Sequence, residues 1–201
     1  MFVAKKLRQK SISEYLLYMW QVEDIIRAFG CSLPVIEKNY ISKFDYTDEQ
    51  KSEETDWFGN LIRMMNSEGK REQGHLDINK ILMEDLVDLH NRLLKSNKYP
   101  FYNAEYYKVL PFIVEIRSKN KRAEAKMKEQ GSTESPLLEA DANESEIETC
   151  FDVLYGIMLL RLQKKPITPE TEHAVKEITT FIGMLSDYYA QNKEGKLKFD
   201  D

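Results

Sequence analysis

Apolar residues in this chain recur at spacings of three and four, and that regularity limits what it can fold into. Ile12, Tyr15, Leu16, Met19, Val22, Ile26 and Phe29 fall on one face when residues are placed at about 100° steps. Tyr106, Val109, Ile113 and Ile116 do the same, as do Ala174, Ile178, Phe181, Ile182, Leu185 and Tyr189. No alternating apolar run competes as a strand, and no repeat of fixed period is visible. A chain patterned this way must bury one stripe per helix. It is expected to be all-α, an antiparallel multi-helix bundle of six or seven helices.

The punctuation between stripes agrees. Gly30 follows the first stripe as a C-terminal stop, and Pro34 suits the first turn of a short helix from Leu33 to about Lys43. Thr47 can cap the helix that carries Trp57, Phe58, Leu61, Met64 and Met65, and Gly74 marks the start of the next. Pro111 lies inside the Tyr106–Ile116 pattern, which predicts a kink or a helix start there. Thr168 with Pro169 behind it reads as the cap and first turn of the last helix. The stretch from Gly131 to Asn143 collects Gly, Ser, Pro and acidic residues, and no basic residue occurs between Lys128 and Arg161. It is expected to be a flexible acidic linker, residues 131–143, inside one helical domain spanning 1–201.

Composition excludes several classes. A net charge of -5 argues against broad phosphate binding, so nucleic acid is not expected as a partner. The longest apolar stretch, Val153 to Leu160, is interrupted by Tyr155 and Gly156 and is too short to span a bilayer. The two cysteines, Cys31 and Cys150, sit in apolar helical surroundings and read as reduced thiols, which points to the cytoplasm.

Catalytic signatures are missing: there is no Gly-x-Ser-x-Gly elbow and no glycine-rich phosphate loop. Two Glu-x-x-His matches occur, Glu72 with His75 and Glu170 with His173, a spacing that di-metal bundles use. His173 lies off the stripe of its own helix and Glu72 precedes Gly74, so no metal and no cofactor are expected.

The informative residues are polar ones that break apolar stripes. Glu23 projects among Ile12, Leu16, Met19 and Ile26; His75 and Asn79 share the face that continues through Leu82, Leu86 and Leu93. Arg161 falls in the centre of the stripe of the sixth helix, and Arg117 at the edge of the stripe of the fifth, with Asn120 near the middle of that stripe. An unpaired charge in a core costs several kcal/mol, so such residues normally find one another. A buried polar cluster is therefore expected to unite Glu23 with Arg161 or Arg117 and to take in His75 and Asn79. It would either fix helix register or bind a small anionic ligand on its arginines.

The runs EYLLYMWQVEDIIRAF, GHLDIN, LPFIVEIRSK and EIETCFDVLYGIMLLRLQ resemble a family of all-helical proteins found in Bacteroidetes whose domain has no assigned activity. The resemblance covers most of the chain outside Asn120–Ser145 and implies the helical fold without implying a reaction. The leading expectation is a non-catalytic helical interaction or regulatory module, with a protein partner or a second copy of itself. It rests on large apolar residues at helix edges, Trp20, Trp57, Met64 and Tyr107. The second is a binder or enzyme for a small anionic molecule at the polar cluster.

Overall fold

The computed structural model describes residues 1–129 and 144–199, and the expected linker at 131–143 lies outside the described residues. All regular structure among these residues is helical: α1 (Phe2–Lys10), α2 (Ile12–Ala28), α3 (Leu33–Asn39), a 3-10 turn (Ile41–Lys43), α4 (Asp48–Ser67), α5 (Asp77–Lys95), α6 (Pro100–Glu129), α7 (Glu146–Leu162) and α8 (Pro169–Lys193). The all-α expectation holds. The count exceeds seven because α1 was missed. Its lysines and arginine leave only Ala4 buried, so it shows no stripe, and Ser11 both ends it and caps α2.

The helix ends follow local chemistry. Thr47 and Gln50 form a reciprocal capping box at α4, Ser145 and Glu148 form another at α7, and Thr168 caps α8 with Pro169 in its first turn. Gly30 takes φ 65° just past α2, a left-handed turn that a side chain would strain. Pro111 neither starts nor interrupts α6, which runs through it as one helix.

The chain divides into two compact units, Met1–Glu84 and Asp85–Asp201. The division falls inside α5, where no Gly, Pro or change of composition marks it, so nothing in the sequence announced it. In the first unit α2 packs against α1 and α4, and α3 with the 3-10 turn packs on α4. Leu16, Met19, Ile26, Phe58, Met65 and Leu76 are fully enclosed there. In the second unit α6, α7 and α8 pack on one another around Tyr102, Cys150, Phe151, Phe181 and Leu185. Burial of such side chains stabilises each by about 1.5–3 kcal/mol, which is the main force holding either unit.

Candidate functional site

Glu23, His75 and Asn79 come together in the first unit, as their stripes implied. The Glu23 side chain projects from α2 and is completely buried. Its Oε1 accepts from the Leu76 backbone N–H at 3.0 Å and from the Asn79 amide at 2.7 Å, and its Oε2 lies 2.6 Å from His75 Nδ1. The His75 ring stacks on Trp20 with centroids 4.1 Å apart and planes 13° from parallel. Asn79 Oδ1 is buried with no hydrogen-bond partner.

The local sequence explains the arrangement. Leu76 immediately precedes α5 and its carbonyl accepts from Asn79 and Lys80, so Glu23 sits at the N-terminus of that helix. A carboxylate there faces the orphan N–H groups and the positive end of the helix dipole. The segment before it is held as well. Gly74, at φ 79°, turns the chain, and its carbonyl and that of Lys70 accept from Arg27, which is itself paired with Asp24 at 2.8 Å. Asp77 N–H donates to Glu68 at 2.8 Å. GHLDIN is thus fastened to α2 and α4 at several points.

Arg117 and Arg161 both belong to the second unit. Arg117 Nε donates to Thr149 Oγ1 at 2.9 Å and its Nη2 to the Glu144 carbonyl at 2.6 Å. Thr149 passes the bond on to the Ser145 carbonyl at 3.1 Å. Arg117 therefore ties α6 to the start of α7, the same task that Glu23 performs for α5. Arg161 is exposed, because it occupies the last turn of α7, where Leu162 is exposed too. The expectation that Glu23 is neutralised by Arg117 or Arg161 is corrected: its partners are the Leu76 N–H, His75 and Asn79. Asn120 is half-buried.

Two titrating groups escaped the sequence reading. His90 is 2% exposed, sits 2.7 Å by Nδ1 from the Tyr102 hydroxyl, and is ringed by the edges of Tyr106 and Phe181. Burial pushes its pKa down to about 4. The clue was present: Met83, Leu86, His90 and Leu93 recur at three- and four-residue steps. On α7, burial and the neighbouring Glu144 and Glu148 push Asp152 up to about 7. A carboxyl raised from 3.8 in the unfolded chain keeps its proton longer when folded, so its contribution is present at low pH and lost as pH rises toward 7. Solvent screening of this half-buried side chain trims the loss to about 2 kcal/mol. Asp152→Asn is expected to gain about that much stability at pH 8 in urea titrations and little at pH 4.

Of the helix-edge residues, Trp20 is buried against His75, Trp57 and Met64 are half-buried, and Tyr107 alone is exposed. Tyr107 belongs to a larger feature. Phe101, Ala104, Tyr107, Pro111 and Val114 follow one another at steps of three, three, four and three along α6, all exposed. Phe101, Tyr107 and Val114 are 79%, 66% and 56% exposed. Lys108 and Glu115 lie beside this stripe and are also exposed. Among the described residues no group of His, Cys, Asp and Glu side chains is arranged to hold a metal, and no helix is long and apolar enough to cross a membrane.

The family described as "Domain of unknown function (DUF4924)" has a model that matches residues 1–131 and 133–196, and the chain belongs to that family. No curated protein and no solved structure matches it.

Proposed function

We propose that this family member is a non-catalytic helical module that associates with a second copy of itself through the exposed face of α6. The observation that carries the reading is the stripe of Phe101, Ala104, Tyr107, Pro111 and Val114, apolar along its whole length and left in solvent. A contiguous apolar helix face is what a partner helix covers in a bundle or a helix pair.

Charge placement selects the partner and its direction. An antiparallel second α6 crossing at Pro111 sets Tyr107 against Val114 of the other copy, and Lys108 against its Glu115. It also brings Phe101 under Lys121 of the other copy, a cation over a ring. A parallel pair would oppose Lys108 to Lys108 and Glu115 to Glu115. Self-complementarity about one point is the mark of a two-fold interface.

The polar cluster supports the absence of catalysis. Every oxygen of Glu23 is engaged in holding α5, and one face of the His75 ring is covered by Trp20. The arginine beside the cluster, Arg27, is committed to Asp24 and to the Lys70 and Gly74 carbonyls, which leaves it no free face for an anionic ligand. A cytoplasmic setting, supported by the free thiols Cys31 and Cys150, and an origin in Bacteroidetes, supported by the sequence resemblance, complete the reading.

Sedimentation equilibrium is expected to give twice the 23.7 kDa chain mass at about 100 μM, a concentration at which a small interface is populated. Tyr107→Glu with Val114→Glu is expected to return the chain mass with the helical signal unchanged. A wild-type chain that stays monomeric at that concentration, or a variant that still dimerises, contradicts the proposal.

A further inference from the structure

The second unit contains a pocket of about 700 Å³ walled by α6, α7 and α8 and by the connection between the last two. Its inner surface is apolar, formed chiefly by Phe112, Ile116, Val153, Ile157, Leu160 and Val175. That volume lies in the range of small-molecule sites, and an apolar lining with a few polar groups is their usual character. Gly156 on α7 and Ala174 on α8 also line it, and two such small side chains leave room that ordinary packing would fill.

The rim decides the class of ligand. Glu115, Lys119, Glu170 and His173 stand around the opening. Lys119 is bound to Glu115 at 2.7 Å, so the one lysine is already committed to a carboxylate. At the N-terminus of α8 the Thr171 N–H is taken by the Thr168 hydroxyl, and Pro169 has none to give. The His173 ring meets the edge of Phe112 at 5.5 Å. An entering anion would have to displace Glu115 from Lys119 and would face Glu170 as well, while a cation drawn to either carboxylate would have to give up its water against the apolar inner wall. A molecule without charge displaces nothing. Gln163, also in the lining, offers an amide that can both donate and accept.

We infer that the second unit binds an uncharged, mostly apolar small molecule in this pocket, with any single polar group of the ligand turned toward Gln163. The site is distinct from the α6 stripe. Phe112, Ile116 and Lys119 face the pocket, whereas Tyr107, Pro111 and Val114 lie on the exposed flank of the same helix. The two surfaces share Glu115 but no apolar residue, so substitutions at Tyr107 and Val114 separate ligand binding from self-association.

The uncharged, polarity-sensitive dye Nile red serves as the probe, titrated into the full chain. A saturable fluorescence rise with one dye per chain is expected. Gly156→Leu and Ala174→Phe, placed on different walls of the pocket, are each expected to weaken binding at least tenfold while the circular dichroism spectrum is kept. Gly156→Leu also removes a glycine from a helix interior, which favours folding and guards against loss of the protein itself. Tyr107→Glu with Val114→Glu is expected to bind the dye as wild type does, whatever its oligomeric state. Absence of saturable binding, indifference to both filling substitutions, or loss of binding in the Tyr107/Val114 variant overturns the inference. The last outcome would place the dye on the α6 stripe instead.

Discussion

Glu23→Leu is expected to be the most damaging conservative-sized substitution in the first unit, lowering its stability by about 3–5 kcal/mol. Leucine fills a similar volume but accepts nothing, so the Leu76 N–H and the Asn79 amide lose their acceptor in a buried place and half-buried His75 loses its partner. Removing one member of a buried polar group costs this much because the remaining members stay desolvated. Glu23→Gln separates geometry from charge. Its carbonyl can still take the two donors that share Oε1, and its amide can face His75 in the accepting tautomer. Its loss should be about 1–2 kcal/mol. Both tryptophans, Trp20 and Trp57, lie in the first unit, so tryptophan fluorescence during urea unfolding reports on that unit alone. A Glu23→Leu protein as stable as wild type, or more stable, would mean that the carboxylate is kept for something other than holding α5.

The second large effect is acid sensitivity of the second unit through His90. The folded state holds this ring neutral down to about pH 4, whereas the unfolded chain takes up its proton near 6.5. Between those values the unfolded state binds more protons, so stability is full above pH 6.5 and is lost as pH falls toward 4. At 1.36 kcal/mol per unit the loss is about 3 kcal/mol, without discount for a ring so fully enclosed. His90→Phe keeps an aromatic ring among Tyr106 and Phe181 and removes the titration, although Tyr102 loses its partner. Near-UV tyrosine signals followed in urea at pH 7 and pH 4.5, with Asp152→Asn in both proteins to remove the opposing titration, should show a steep decline with His90 in place and a shallower one with His90→Phe. Equal declines would show that another group carries the acid response.

Much of the fold was readable because helix signals are local. Caps at Thr47 and Thr168 and the stop at Gly30 each depend on a few neighbouring residues and an apolar stripe, and each appears where the pattern put it. Helix α1 was not readable, since a stripe needs buried residues and it has one. The pattern from Leu33 to Lys43 divides into α3 and a 3-10 turn at Ile41–Lys43, a change of helix type that apolar spacing does not distinguish.

The candidate site was half legible. Glu23, His75 and Asn79 share one cause, a polar residue on an apolar face, and they meet. Arg161 failed because periodicity cannot tell whether the last turn of a helix still has a neighbour to bury it. Arg117 failed for another reason: its partners are a hydroxyl and a backbone carbonyl, and backbone acceptors leave no trace in residue identity. The α6 stripe was glimpsed only through Tyr107. In a helix with apolar residues on two faces, sequence alone does not say which face is inside.

Self-association through α6 places a two-fold point at Pro111, where a cross-link between copies can form. Pro111 lies where the antiparallel helices cross, so each copy presents it to the same residue of the other. In a Cys31→Ser background, Pro111→Cys should form disulfide-linked dimers rapidly under mild oxidation, while Lys121→Cys, at a site that faces Phe101 of the other copy, should form few. Equal slow cross-linking at both positions is the behaviour of random collisions between monomers and would rule out an interface on α6.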